Sequence, residues 1–334
     1  MIRRIAFLSA AAIACGLCSC DKMTSCESGT SRVMVNVSAK DETKALGVTA
    51  DSECAYQSVQ ILVFDSDGAL DTDGYAAVDV DGNFSIELDV YKGKGKSFYA
   101  VTNLDRITSV STEADFLSRV SQLSDNSIGS LVMKGVTVTD IDGDCSVTIN
   151  VRRLTAKVEL EKISVAFEDC DYPSLTVNAV YLTNVNSKVS LGGEAPAAAG
   201  DWLNQRGYSP SSCNAILYES YSRTIADGSS DSAAHTFYCY PNPVVADTHD
   251  EVNAFTVRCT RLVIDTDLGY YHVDLCDSEK MPDGLESNCC YLIRDIVITG
   301  EGAGTPEEHT SRANVTCTVE IIPWQDAASY IEEI

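Results

Sequence analysis

The sequence is short of the residues that carry most protein chemistry. Its 334 positions hold four histidines, at 235, 249, 272 and 309, and no two are close enough in sequence to suggest a shared metal or a proton relay. Basic residues are scarce as well: 24 Lys and Arg stand against 49 Asp and Glu, a formal net charge of −25. A nucleic-acid binder neutralises phosphates with clustered Lys and Arg, so this balance argues against that class. It equally argues against electrostatic adhesion to an anionic membrane. After the first 20 positions no apolar run is long enough to span a bilayer. A GxSxG elbow, a Walker loop, an HExxH helix and a dinucleotide glycine fingerprint are all missing. The expectation is a protein that is not an enzyme, with no catalytic residue, no cofactor and no metal centre.

What is present is a foldable mixture, 45% hydrophobic and 22% charged, too apolar for a disordered chain and long enough for about two domains. Arg3 and Arg4 precede an apolar segment at 5–13, the n- and h-regions of a secretory signal. Leu17-Cys18-Ser19-Cys20 then has the pattern of a bacterial lipobox, cut between Ser19 and Cys20 and acylated on the Cys20 thiol. Cys15 and Cys18 fit that role less well, because Ala12 or Cys15 would replace the leucine. The alternative is an ordinary signal peptide cut nearby. On the lipobox reading, residues 1–19 are the signal, 20–31 are a polar tether, and the chain meets the membrane only through its lipid anchor.

The remainder reads as short strands between Gly, Asp, Asn and Pro turns. Residues 32–39 place Val33, Val35 and Val37 on one face, and residues 83–91 do the same with Phe84, Ile86, Leu88 and Val90. Further strands are expected at 58–65, 97–104, 131–138, 146–151, 175–182, 235–240, 254–264, 270–276, 289–299 and 314–322. One helix is expected over 111–120, capped by Thr112 with Asp115 three residues on. A long alternating run at 153–167 shifts phase at Glu161-Lys162, which suggests a bulge or a domain crossing. The reading is all-β: two antiparallel β-sandwich domains, 32–152 and 153–334, with one short helix, and a loop-rich region at 184–231.

Two local clusters invite a site. Residues 65–74 crowd four Asp around two glycines. Dense hard oxygens suit calcium, but the spacing is not that of an EF-hand, and two Asp-Gly turns after a strand are the favoured reading. Residues 140–144 read the same way. Lys92, Lys94 and Lys96 form the one basic cluster, expected as a solvated hairpin loop because no helix N-terminus follows its glycines.

Several phrases then occur in a familiar order. They are Val59-Gln60-Ile61-Leu62-Val63-Phe64-Asp65 with Gly68, Phe98-Tyr99-Ala100-Val101-Thr102-Asn103-Leu104, Met133-Lys134-Gly135 and Arg153-Leu154-Thr155-Ala156-Lys157-Val158. Tyr238-Cys239-Tyr240-Pro241-Asn242, Asn288-Cys289-Cys290-Tyr291 with Ile298-Thr299-Gly300, and Val319-Glu320-Ile321-Ile322-Pro323-Trp324 follow. Together with the lipobox they resemble FimA/Mfa-type fimbrial subunits (fimbrillins) of the Bacteroidales. The resemblance implies two transthyretin-like sandwiches and a lipoprotein precursor at the outer membrane that ends in extracellular fimbriae. In that picture a trypsin-like protease cuts after the first strand, the strand departs, and a neighbour's C-terminal strand fills the groove. Carried over residue by residue, the strand to be lost is 32–39 and the cut falls between Lys44 and Ala45. The donor strand carries Val315, Cys317, Val319 and Ile321. The family's best-known protease prefers Arg, and the loop offers only Lys40 and Lys44. An uncut anchor or tip component therefore stands beside the stalk subunit. The implied partners are other copies of the chain, minor fimbrial subunits, and host or bacterial surface receptors.

A surface carbohydrate-binding adhesin is the competing class, with Tyr218, Tyr221, Tyr270 and Tyr271 as aromatic platforms but only two tryptophans, Trp202 and Trp324. A hydrolase would need two convergent carboxylates that no spacing indicates. The 14 cysteines first suggest a disulfide scaffold. Cys15 and Cys18 leave with the signal and Cys20 takes the lipid, so eleven remain. Many of these sit inside strands, which favours packed thiols with one or two bridges at most.

Overall fold

The computed structural model describes residues 29–39, 52–81, 83–168, 170–193, 201–244, 258–276, 283–308 and 314–324. The first sandwich comprises β1 (Thr30–Ser38), β2 (Ala55–Phe64), β3 (Leu70–Asp81), β4 (Asn83–Tyr91), β5 (Gly93–Thr102), α1 (Glu113–Ser118), β6 (Val120–Gln122), β7 (Met133–Ile141), β8 (Cys145–Asn150) and β9 (Arg152–Arg153). The second comprises β10 (Ala156–Leu160), β11 (Ile163–Val165), β12 (Ser174–Thr183), β13 (Val185–Asn186), β14 (Lys188–Ser190), β15 (Trp202–Leu203), α2 (Asn214–Leu217), β16 (Tyr218–Ala226), β17 (Ser230–Asp231), β18 (His235–Cys239), β19 (Arg261–Thr266), β20 (Gly269–Asp274), β21 (Cys289–Ile298) and β22 (Val315–Pro323). No helix among the described residues is long and apolar enough to cross a membrane.

A three-stranded sheet, β4-β1-β8, faces a five-stranded sheet, β3-β2-β5-β7-β9. The five-stranded sheet is apolar on both sides. Val59, Ile61 and Val63 of β2 and Phe98 and Ala100 of β5 enter the core shared with β1. Leu62, Phe64, Tyr99 and Val101 point the other way, where Phe116 of α1 covers them and the core of the second sandwich continues. That two-sided burial explains why β2 reads as an unbroken apolar run. α1 begins as its sequence dictates: the Thr112 side chain accepts from the Asp115 N–H at 3.1 Å. It ends at Ser118, and the next residues turn into β6, which pairs with β14 of the second sandwich.

The chain crosses between the sandwiches at Leu154 and Thr155, from β9 on β7 to β10 on β18 and β21. The phase shift at Glu161-Lys162 separates β10 from β11, and both lie parallel to β21. A matching irregularity occurs in β21 between Ile293 and Ile296, and the charged residues pair there, Lys162 with Asp295 at 2.8 Å and Arg294 with Glu161 at 3.5 Å. The second sheet of this sandwich runs β16-β12-β19-β20. Most pairings are antiparallel, but β1–β8, β10–β21 and β11–β21 are parallel. A parallel pair is joined by a long crossover rather than a tight turn, so local sequence carries no sign of it.

Three segments differ from their sequence reading. Residues 65–74 hold one turn, not two: Gly68 (φ +83°) closes it, with its N–H on Asp65 O at 2.8 Å. The second Asp-Gly lies inside β3, where a Cβ on Gly74 would stand 2.6 Å from Leu88 Cδ2. The acidic cluster weighed for calcium is partly neutralised from within the chain, because the Lys96 ammonium contacts Asp65 and lies 2.5 Å from Asp71 Oδ2. Lys96 is therefore a fully buried strand residue and not part of a solvated loop. The region read as loop-rich contains β16, an edge strand, and the single turn of α2. Among the cysteines, Cys54, Cys213, Cys239 and Cys290 are buried unbridged thiols, and complete burial pushes Cys239 up to about 12.

Lys96→Ala should lower stability by about 3–5 kcal/mol, because Asp71 stays buried without its counter-ion. Urea unfolding measures this, and a loss below about 1 kcal/mol would mean that Asp71 finds water or another donor.

Candidate functional site

β1 has no catalytic group; its interest lies in how it is held. It is the middle strand of its sheet, antiparallel to β4 over Thr30–Ser38 and parallel to β8 over Val33–Ser38. Period-two alternation turns Ser31, Val33, Val35, Val37 and Ala39 inward, exposed by 2, 0, 0, 1 and 5%. They pack with Tyr56, Ile61, Val63, Phe98 and Val147. Full burial of a valine contributes roughly 1.5–3 kcal/mol. Three of them supply an amount comparable to the net stability of a domain.

The outward face of β1 is polar. The Asn36 amide donates to Ser146 Oγ at 2.8 Å and accepts from Ser85 Oγ at 2.7 Å, so one side chain spans β8 and β4. The Arg32 N–H donates to Asp144 Oδ1 at 2.9 Å. Removing β1 would therefore leave an apolar slot flanked by two rows of unpaired N–H and C=O groups. One feature weakens the strand's hold: Ser31 Oγ is buried with no hydrogen-bond partner.

β22 is the opposite case. Among the described residues it pairs only with β21 and leaves its other edge open. Val315 and Val319 pack against the core, Cys317 and Ile321 are exposed, and Ile322 is buried. Its alternating apolar side chains are thus only half used within its own subunit.

The sandwich built around β1 also matches a known family. Residues 31–144 fit the model of the Major fimbrial subunit protein (FimA). Over that range the first sandwich is similar to the FimA family. No curated protein matches the sequence. The FimA-type fold, however, extends through the second sandwich. A fimbrilin (FimA) from Porphyromonas gingivalis W83 superposes with a TM-score of 0.59 at 12% identity, covering 89% of this chain and 98% of that one. A protein of Bacteroides eggerthii DSM 20697 described as a cell adhesion protein gives 0.64 at 18%, covering 89% and 97%. The tip fimbrial protein Mfa3 from Porphyromonas gingivalis gives 0.53 at 14%, covering 88% and 100%.

Within this FimA-type frame, Ser19, Cys20, Lys44 and Ala45 lie outside the described residues. Val33, Val35 and Val37 sit together in the slot. The aromatic candidates of the adhesin reading divide: Tyr271 is buried in the core, Tyr221 is packed on it, and Tyr218 stacks on Tyr208 at 3.9 Å. The sequence did not reveal Asn36 as a two-strand tie, because its partners lie 49 and 110 residues away. Nor did it mark Glu53, whose carboxylate joins the two sandwiches. Burial alone would raise the Glu53 carboxyl, but Lys157, the Trp324 and Tyr238 donors and Arg153 outweigh it and hold it below the usual carboxylate value.

Removing the orphaned hydroxyl should strengthen the grip of β1. Ser31→Ala is expected to stabilise the intact chain by about 1–2 kcal/mol in urea unfolding. A destabilised variant would mean that the hydroxyl is hydrogen-bonded after all.

Proposed function

We propose that the chain is the precursor of a fimbrial subunit, polymerised by strand exchange and serving in adhesion. It is exported as an outer-membrane lipoprotein through Cys20 and cut between Lys44 and Ala45. β1 then leaves, and the C-terminal strand of a neighbour, carrying Val315, Cys317, Val319 and Ile321, enters the slot. The observation that supports this reading is the seat of β1, the middle strand between β4 and β8, whose inward side chains fill an apolar slot that any strand of the same alternation can occupy. An empty slot is the best template for an incoming strand, because main-chain hydrogen bonds supply affinity and alternate pockets supply specificity. The half-used apolar residues of β22 have the right spacing to fill it. Filling runs head to tail, so the contact does not close on itself and produces a fibre. The FimA-family match of residues 31–144 supports the same class.

A second reading, a non-polymerising anchor or tip component, is favoured by the basic residues of the loop, which are Lys rather than Arg. Treating lipid-free precursor with a trypsin-like protease separates the two. The expected result is a new N-terminus at Ala45 and filaments by electron microscopy. Clean cleavage that leaves monomers would remove the polymerising role. Mass spectrometry of cell-surface material makes the same distinction in place, with Ala45 at the N-terminus of a stalk subunit and acylated Cys20 at that of an anchor.

A further inference from the structure

One buried contact joins the segment after β1 to the far end of β22. Glu53 lies in a 3-10 turn, Ser52–Cys54, directly before β2. Its carboxylate accepts from three donors of the second sandwich: Trp324 Nε1 at 2.7 Å, the Tyr238 hydroxyl at 2.8 Å and the Lys157 ammonium at 3.2 Å. Trp324 directly follows β22 and is 5% exposed. The Arg153 guanidinium stands 4.5 Å from the centroid of the Trp324 ring, donates to Glu53 O at 3.1 Å, and donates to Cys54 Sγ at 3.0 Å. Tyr238 stacks with the same indole, and the Asn288 carbonyl accepts from the Trp324 N–H at 3.3 Å.

The turn that carries Glu53 rests in turn on β1. Cys54 and Tyr56 belong to the same core cluster as Val33, Val35, Val37 and Ala39. The Tyr56 hydroxyl also bonds to the backbone of Ala39, the residue after β1. The path from β1 to β22 is therefore continuous: Ala39 and the valines, the Ser52–Cys54 turn, Glu53, Trp324.

We propose that Glu53 is a latch that holds β22 on its own subunit for as long as β1 is in place. The latch rests on the reading that β1 departs. When β1 goes, Cys54 and Tyr56 lose the side chains beneath them, and the turn loses its seat. Glu53 then no longer meets its three donors. Charge-assisted hydrogen bonds of this kind depend on fixed geometry, and buried donors left without an acceptor destabilise the packed state of Trp324. β22 is an edge strand with Cys317 and Ile321 already outside the core, so apart from its pairing with β21 its end is held by Ile322 and the packed Trp324. One event thus opens the acceptor slot and frees the donor strand, while an intact subunit offers neither.

Hydrogen–deuterium exchange on the full, uncleaved chain tests the latch without requiring assembly. Glu53→Ala should make the β22 amides exchange roughly tenfold or more faster, with β4 and β8 unchanged. Trp324→Phe keeps a ring but removes the N–H, and should act in the same direction. The double variant should exchange no faster than the faster single one, because both remove one interaction. Should Glu53→Ala not fold, Glu53→Gln preserves the shape and replaces the charge. Wild-type exchange of β22 in the Glu53 variants, or effects of Glu53 and Trp324 that simply multiply, would overturn the latch. Fast exchange without filaments after cleavage would leave the latch standing and count against strand exchange; filaments with unaltered β22 exchange would do the reverse.

Discussion

The first sandwich depends on one apolar slot being filled. Val33, Val35 and Val37 are buried to 1% exposure or less between two strands that do not pair with each other. The hydrophobic gain from those side chains is of the same order as the stability of the domain around them, so the slot does not tolerate vacancy. The proposed strand exchange requires that it tolerate substitution. What holds β1 is main-chain pairing and a period-two row of small apolar side chains, and any strand with the same alternation satisfies both. Ser31 makes the resident strand less than optimal at one position, which favours a wholly apolar replacement.

That local requirement spreads because the sheet opposite β1 is apolar on both faces. β2 and β5 carry one set of side chains into the slot and the other into the continuous core of α1 and the second sandwich. Close-packed interiors transmit changes of shape, so β1 is not isolated from the rest of the molecule. The contact between Glu53 and Trp324 is the most direct of these links, spanning 271 residues of sequence. The acidic balance has a place in the same picture. With 49 acids against 24 bases, copies of the chain repel one another sideways, and a strand-in-slot contact is one that apolar burial can win against that repulsion.

Much of this was legible in the sequence, where the signal is local. The alternation of β1 and β4 and the Thr112 cap of α1 appear where the residues place them, because each follows from neighbours within a few positions. β3 was hidden by Asp71, Asp73 and Gly74, residues disfavoured in strands. Asp71 becomes acceptable only through Lys96, 25 residues on, and the same pairing turns a basic loop into buried strand. The parallel contact of β1 with β8 and the Glu53 clasp have no sequence signature, since each joins residues more than a hundred positions apart. The C-terminal strand proposed as the donor carries Val315, Cys317, Val319 and Ile321. Their division into two packed and two exposed follows from pairing on one side only and from the irregularity opposite β21.

The central claim concerns which strand occupies the slot in the assembled fibre. A density map of fibres taken from cells, at a resolution that distinguishes side chains, answers it directly. The account predicts Val315, Cys317, Val319 and Ile321 of a neighbouring copy between β4 and β8, with residues up to Lys44 missing. Finding the subunit's own Val33, Val35 and Val37 still in place would contradict it.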